Sequence, residues 1–188
     1  MDQSQKKNTQ GNSSPYVSII IPAYRAAGFI GCALDSVFSQ TFKNYEVIVI
    51  DDGSPDSAEL ERVIDGYREH INLCHQNNGG PSAARNTGIR NSRGQFLAFL
   101  DADDSWYPDY LASQMACIED EPTLELVYAD ALFVGDSALA GRTFMGVTPS
   151  NGEVTLESLL DQPSTIVLSG VVARKQTIID AGLYDERF

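Results

Sequence analysis

Residues 96–104 read FLAFLDADD, a run of five apolar residues that passes directly into a segment with three carboxylates. The apolar run, bounded by Gly94 and by charge, predicts a short buried β-strand. In an open α/β sheet, ligands bind outside the carboxyl ends of the strands. Asp101 and Asp103 can there direct their oxygens at one divalent cation, and Mg²⁺ or Mn²⁺ binds carboxylate and phosphate oxygens together. The stretch therefore indicates chemistry on a metal-bound phosphate.

The same carboxylates also have a purely structural interpretation. An aspartate before a helix often caps the first turn, where negative charge is favourable. Residues 105–109 read SWYPD and resemble a helix start, with Pro108 near the first turn. From this stretch alone, a helix cap and a metal site are equally good interpretations, so other parts of the chain must distinguish them.

Apolar and amphipathic segments alternate along most of the 188 residues. The predicted strands cover residues 17–21, 45–50, 71–75, 96–100, 124–134 and 166–173. The predicted helices cover residues 26–40, 58–70, 82–91, 107–119, 154–160 and 175–181. This order predicts one α/β domain over residues 16–188, with a mainly parallel sheet and helices on both faces. Residues 1–15 are polar and are predicted to form a disordered tail.

Composition excludes some partners. The formal net charge of −13 argues against binding a nucleic-acid polymer, because that needs a broad basic surface. No run approaches the roughly 18 apolar residues of a membrane span. The polar N-terminus lacks the apolar segment of a secretory signal. We expect a cytoplasmic protein, with the inner face of the membrane as the alternative location.

Other loops are predicted to lie beside residues 101–104. Residues 22–25 follow the first predicted strand and residues 51–54 follow the second, so both lie at the same edge of a parallel sheet. The Asp52 carboxylate can accept a hydrogen bond from a base N–H, although a simple turn is the alternative. Gly79 and Gly80 let the backbone approach a ligand closely. Arg85 can bind phosphate through its planar guanidinium group, with a salt bridge on the helix surface as the alternative.

Four segments together resemble the family 2 glycosyltransferases, which have the GT-A type of nucleotide-diphospho-sugar transferase fold. They read VSIIIPAY from Val17, VIVIDDGS from Val47, NGGPSAARNTG from Asn78 and GQFLAFLDADD from Gly94. Each segment alone is weak evidence for the family, but the order and spacing of all four are specific to it. The resemblance covers residues 16–188. It implies a GT-A, Rossmann-like fold whose C-terminal acceptor part would be incomplete in this chain.

The resemblance also implies roles for the matching positions. Asp103 and Asp101 would ligate the metal, Mg²⁺ or Mn²⁺. Asp52 would hold the base, and Arg85 would contact the nucleotide. The implied nucleotide-sugar contacts are Pro22, Tyr24, Asp51, Asp52, Gly80, Arg85, Asp101, Ala102 and Asp104.

The implied reaction is an inverting, metal-dependent sugar transfer in cell-wall or polysaccharide biosynthesis. The donor would be a nucleotide-diphosphate sugar, with a UDP-sugar favoured, and the acceptor a hydroxyl of a saccharide or lipid-linked molecule. In the family, the general base follows a segment like residues 182–188, so we expect it beyond Phe188. Asp185 and Glu186 are the alternatives within the chain. The alternative function is a nucleotide-sugar-binding module without transfer activity, because the base would be missing.

Other nucleotide-dependent enzymes fit less well. A sugar-phosphate nucleotidyltransferase would need a Gly-rich basic loop after the first strand, where this chain has PAYRA at residues 22–26. No G-x-G-x-x-G follows that strand and no G-x-x-x-x-G-K-[ST] occurs, which disfavours dinucleotide oxidoreductases and P-loop ATPases.

Overall fold

The computed structural model describes residues 14–136, 138–149 and 166–187. The strands are β1 (Val17–Ala23), β2 (Tyr45–Asp52), β3 (Ile71–Gln76), β4 (Phe96–Phe99), β5 (Leu126–Tyr128) and β6 (Val171–Arg174). The α-helices are α1 (Ile30–Phe38), α2 (Ser57–Ile64), α3 (Gly80–Asn91), α4 (Tyr110–Asp120), α5 (Phe144–Val147) and α6 (Lys175–Asp180). Short 3-10 helices cover Asp65–His70 and Leu168–Gly170. The predicted helix at 154–160 and most of the predicted tail lie outside the described residues.

Across the described residues, the strands form one sheet in the order β3-β2-β1-β4-β6-β5. The first four strands are parallel, whereas β6 runs antiparallel to β4 and to β5. Val17 pairs with both Tyr45 and Phe96, so β1 lies between β2 and β4. The predicted mainly parallel sheet is confirmed, and the loops after β1, β2 and β4 lie at one edge.

Helices cover both faces of the sheet, as predicted, because neighbouring residues of a strand point to opposite sides. Ile19 and Ile21 pack with Leu34 of α1, and the same cluster includes residues of α2 and α4. Ile20 points the other way, into a cluster with Ala84 and Ile89 of α3. None of the helices in the described ranges is long and apolar enough to cross a membrane.

Several predicted boundaries are wrong. Helix α1 starts at Ile30 and not at residue 26, because residues 26–29 form a turn in which the Ala26 carbonyl accepts the N–H groups of Phe29 and Ile30. The predicted strand at 124–134 shrinks to β5. Beyond it, the Asp130 carboxylate accepts the N–H groups of Ala131 and Met145, which ties the chain to α5.

The predicted strand at 166–173 also starts later than expected. A 3-10 turn at Leu168–Gly170 precedes β6. This turn brings Ser169 next to the loop that follows β4, where it contacts the Asp101 backbone.

Candidate functional site

A cleft of about 500 Å³ opens at the carboxyl edge of the parallel strands. Segments that follow β1, β2, β3 and β4 line it. The predicted site residues that line it are Pro22, Tyr24, Asp52, Gly80, Arg85, Asp101, Ala102 and Asp103. The structure therefore brings these eight positions to one cleft, while the predicted residues Asp51 and Asp104 are outside its lining.

Asp52 holds the loop that leads into α3. Its Oδ1 accepts hydrogen bonds from the Gly79 N–H at 2.8 Å and from Gln76 Nε2 at 2.7 Å. Its Oδ2 accepts the Gly80 N–H at 2.9 Å, and Gly80 has a φ of +84°, which favours glycine. Asp52 thus fixes a glycine-rich wall of the cleft, since each carboxylate oxygen has two acceptor positions.

Asp51 points away from the cleft, because it neighbours Asp52 on the same strand. Its Oδ1 accepts the Ser54 N–H at 2.9 Å, and its Oδ2 contacts the Ser57 hydroxyl and lies 3.2 Å from His75 Nδ1. These bonds order the turn between β2 and α2. The geometry gives Asp51 a structural role, and its nucleotide contact stays a prediction that the cleft does not support.

Arg85 lines the cleft with only 13% of its side chain exposed. Its Nη2 donates to Asp101 Oδ1 at 2.7 Å. Its Nε is buried without a hydrogen-bond partner among the described residues. The guanidinium carbon lies 5.8 Å from the centre of the Tyr184 ring, a distance that permits a cation–π contact. Arg85 does form a salt bridge, as the alternative interpretation expected, but the pair lies in the cleft, and the nucleotide contact of Arg85 stays a prediction.

The loop at residues 101–104 is held by Ser169, which the sequence analysis does not single out. The Ser169 hydroxyl accepts the Asp101 N–H at 3.1 Å, and the Ser169 carbonyl accepts Trp106 Nε1–H at 2.6 Å. Burial raises the pKa of Asp104. A hydrogen bond from Ser169 opposes this rise, while the charges of Asp103 and Asp101 add to it. A serine inside the apolar run 166–173 was the available sequence signal.

Asp101 and Asp103 are the carboxylates that could hold a cation. Within the described ranges, no group of three or more His, Cys, Asp and Glu residues could hold a metal by itself. Mg²⁺ is usually bound by one or two carboxylates, with substrate phosphates and waters completing its coordination. Asp103 is exposed on the cleft, so this donor set fits a cation that arrives with a diphosphate.

Two aromatic rings also line the cleft. Tyr24 and Phe29 are 48% and 57% exposed, which is unusual for large apolar side chains. The Arg25 guanidinium carbon lies 5.4 Å from the centre of the Tyr24 ring, and the Arg25 N–H donates to Ser54 Oγ at 2.7 Å. These rings can stack on a planar base. Phe29 is a further cleft residue, which lies inside the range 26–40 that the sequence predicts to be a helix.

Asp185 and Glu186, the alternatives for a general base, do not line this cleft. They border a second cavity of about 460 Å³ near the end of α3. Asp185 pairs with Arg187 at 2.5 Å, and Glu186 lies 3.2 Å from Arg90 Nη2. Both carboxylates are therefore paired with arginines outside the cleft.

Known proteins are similar to this chain over about half of its length. The chain is 45% identical to an uncharacterized glycosyltransferase of Rickettsia bellii over 101 residues, which is 54% of this chain and 15% of the relative. It is 45% identical to the succinoglycan biosynthesis protein ExoW of Rhizobium meliloti over 100 residues, 50% of this chain and 31% of that protein. The matches therefore span less than a third of these two relatives.

Solved structures share the fold. The S. aureus TarS 1-349 complex with UDP superimposes with a TM-score of 0.72 at 24% identity, covering 92% of this chain and 51% of that chain. The mannosyltransferase PcManGT from Pyrobaculum calidifontis, in complex with GDP-Man and Mn²⁺, superimposes with a TM-score of 0.67 at 18% identity, covering 93% of this chain and 49% of that chain. The fold is thus that of GT-A glycosyltransferases, as the sequence segments imply.

The family model described as glycosyl transferase family 2 matches residues 18–142, more than half of the chain. This range contains β2 to β4, all of β1 except Val17, and every residue of the cleft lining. The chain belongs to glycosyl transferase family 2.

Proposed function

We propose that this chain forms the donor-binding part of a metal-dependent inverting glycosyltransferase. The donor would be a nucleotide-diphosphate sugar, a UDP-sugar in the first instance, and the acceptor a hydroxyl of a saccharide or lipid-linked molecule. The observation that carries the proposal is the meeting of Arg85, Asp101 and Asp103 in one cleft that also presents the exposed Tyr24 ring. A cytoplasmic location, at the inner membrane face for a lipid-linked acceptor, belongs to the same proposal.

The lining of the cleft offers groups for both parts of a nucleoside diphosphate. The rings of Tyr24 and Phe29 offer an apolar face to the base. The Arg85 guanidinium can donate to phosphate oxygens, because planar guanidinium forks match phosphate geometry. UDP is present in the TarS complex and GDP-Man with Mn²⁺ in the PcManGT complex, so both nucleotides are candidates to test.

A cation is needed for charge balance. The chain carries a net charge of −13, and Asp101 and Asp103 line the cleft, so a diphosphate would meet repulsion there. Mg²⁺ or Mn²⁺, held by Asp103 and Asp101, would act as a Lewis acid on the departing diphosphate. The half-buried Asp101 already has Arg85 as its counter-charge, which leaves Asp103 as the more available carboxylate.

A nucleotide-sugar-binding module without transfer activity is the second candidate. Its support is the position of Asp185 and Glu186, which contact arginines beside another cavity and are not in the cleft. A general base contributes roughly 10²–10⁴-fold in rate. A chain that binds a donor without such a base would retain affinity and lose turnover.

Calorimetry with UDP and with GDP, each with and without Mn²⁺, tests donor binding. We expect binding that requires Mn²⁺ and that favours UDP. If neither nucleotide binds in a metal-dependent way, the proposal is wrong. Release of UDP from UDP-sugars in the presence of acceptor saccharides then separates the candidates, since binding without release supports the binding module.

A further inference from the structure

Asn86 joins the donor cleft to a segment almost a hundred residues away. It follows Arg85 on α3 and is 1% exposed. Its Nδ2 donates to the Tyr184 carbonyl at 2.8 Å and to Glu186 Oε1 at 2.8 Å. Its Oδ1 accepts the Tyr184 N–H at 2.9 Å. Both polar atoms of the Asn86 side-chain amide are therefore hydrogen-bonded, and together they bind the N–H and the carbonyl of Tyr184.

The two residues before Tyr184 have strained backbone conformations, which such hydrogen bonds can stabilise. Gly182 has a φ of +93° and Leu183 a φ of +68°. A leucine in the left-handed region is strained by about 1 kcal/mol or more, and such strain persists only where surrounding contacts impose it. The resulting turn directs Tyr184 back onto α3, where Asn86 holds it.

The Tyr184 ring lies where it can orient Arg85. The ring packs edge-on against Phe99 at 5.6 Å between centres, and the Arg85 guanidinium carbon lies 5.8 Å from its centre. Because Arg85 Nε has no partner among the described residues, the contacts that fix the guanidinium there are the Asp101 carboxylate and this ring. The Tyr184 position therefore affects where Arg85 points.

We propose that Asn86 is a positioning residue of the donor site: it fixes the Tyr184 backbone, and the Tyr184 ring holds the Arg85 guanidinium toward Asp101. This inference rests on the proposed function, because it makes diphosphate recognition depend on the segment at residues 182–187. It assigns a role to Asn86 that neither the cleft lining nor the sequence segments assign.

The test compares Asn86→Ala, Tyr184→Leu and the double variant with Asn91→Ala. Asn91 is a matched control, since it lies on the same helix and its Nδ2 donates only locally, to the Thr87 carbonyl. Affinities are measured for UDP with Mn²⁺ and, by NMR titration, for uridine. We expect each single variant to weaken UDP binding about tenfold, the cost of misplacing one charged hydrogen bond. The affinity for uridine should stay within about twofold of the parent value, because Arg85 would bind the phosphates, which uridine lacks.

The double variant separates positioning from general destabilisation. If Asn86 acts through Tyr184, the double variant binds UDP about as weakly as either single variant, since coupled residues are not additive. The inference would be overturned if the fold-losses of UDP affinity in the two single variants multiplied in the double variant. An equal loss of uridine and UDP affinity would also overturn it. If Asn86→Ala does not fold, Tyr184→Leu still tests the step from the Tyr184 ring to Arg85, and parental UDP affinity in that variant overturns the inference.

A ligand-free measurement keeps the inference separate from the proposed function. The buried Arg85 Nε–H should exchange slowly with solvent in the parent chain and in Asn91→Ala, and faster in Asn86→Ala and Tyr184→Leu. Unchanged exchange in these two variants contradicts the inference even if the chain binds no nucleotide. Absence of UDP binding by the parent chain contradicts the proposed function alone.

Discussion

Arg85 Nη2 donates to Asp101 Oδ1 at 2.7 Å, which joins the loop after β4 to helix α3 inside the cleft. The guanidinium is mostly buried, whereas 37% of the Asp101 side chain is exposed. Asp101 is therefore locally compensated while still reaching the cleft. This pair places a positive charge next to one of the two carboxylates that would hold a cation.

Replacing Arg85 by lysine should weaken donor binding. A lysine keeps the charge but loses the planar fork, whose separate nitrogens can donate to Asp101 and to a phosphate oxygen in a fixed geometry. We expect Arg85→Lys to bind UDP with Mn²⁺ about tenfold more weakly by calorimetry. Arg62→Lys is the matched control, because Arg62 is exposed and its ion pair is with Glu59 of its own helix. Equal affinity of Arg85→Lys and the parent chain would contradict this role.

Asp103→Asn should remove metal dependence without changing stability. Asp103 is exposed and lines the cleft, so its replacement leaves no buried group unpaired. We expect the free energy of unfolding to stay within about 0.5 kcal/mol. Mn²⁺ should no longer increase UDP affinity in the same calorimetric experiment. Asp109→Asn, on an exposed position that makes no side-chain cap, should retain the full Mn²⁺ effect. A full Mn²⁺ effect in Asp103→Asn would exclude Asp103 as a ligand.

Ser169→Ala should disturb the loop at residues 101–104. The change leaves the Asp101 N–H without its acceptor, and losing one such bond costs about 1 kcal/mol. We expect the free energy of unfolding, measured in urea, to fall by that amount. The affinity for UDP in the presence of Mn²⁺ should also become several-fold weaker. Ser113→Ala, on the exposed side of α4, controls for the loss of a hydroxyl. A destabilised variant with parental affinity would limit Ser169 to a structural role.

The cleft could be predicted from sequence because its loops follow uninterrupted apolar strands. Asp101 and Asp52 are placed by β4 and β2, and parallel pairing brings those ends together. Asp51 shows where this reasoning was incomplete. Since neighbouring strand residues face opposite sides, only one of Asp51 and Asp52 could face the cleft, and the alternation rule already implied it.

Other site features were not predictable because they depend on contacts between distant segments. Ser169 reaches Asp101 across 68 positions and Asn86 reaches Tyr184 across 98. No periodicity in one segment encodes such a contact. The turn at residues 26–29 was missed for a related reason, since its apolar residues fit a helical stripe although Phe29 is exposed at the cleft.

Gly88→Ala should destabilise the packing of α3 on the sheet. A Cβ at Gly88 would lie 2.5 Å from Ile20 Cγ2 and 2.9 Å from Ile50 Cδ1, both in the buried core. Overpacking of this kind costs about 1–3 kcal/mol, which exceeds the gain of up to about 1 kcal/mol from replacing a helical glycine. Gly66→Ala should be nearly neutral, because nothing lies within 4 Å of its Cβ position. Urea unfolding of both variants gives the comparison, and a Gly88→Ala chain as stable as the parent would show that the core can shift.

Glu46 makes the stability of the folded chain depend on pH. Its carboxylate is buried at the amino end of β2 and accepts hydrogen bonds from Ser18 Oγ at 2.7 Å and from the Arg93 N–H at 2.6 Å. Burial raises the pKa of Glu46, but the hydrogen bonds from Ser18 and Arg93 and the Arg93 charge together outweigh it. The net pKa is below the ordinary value of 4.5. Folding therefore favours the ionised form.

The sign of the pH dependence follows from that lowered pKa. The stabilisation from ionised Glu46 is fully present above the unfolded-state pKa and is lost as the pH falls through the folded-state pKa. We expect Glu46→Gln to reduce the free energy of unfolding by about 2 kcal/mol near neutral pH, because it removes charged hydrogen bonds. The difference from the parent chain should shrink in urea unfolding as the pH falls through the folded-state pKa of Glu46, because below it the carboxyl is protonated in both folded and unfolded chains. Glu119→Gln, at an exposed position, should show no such convergence. A Glu46→Gln difference that stays constant as the pH falls through that pKa would mean that the carboxylate charge contributes nothing to folding.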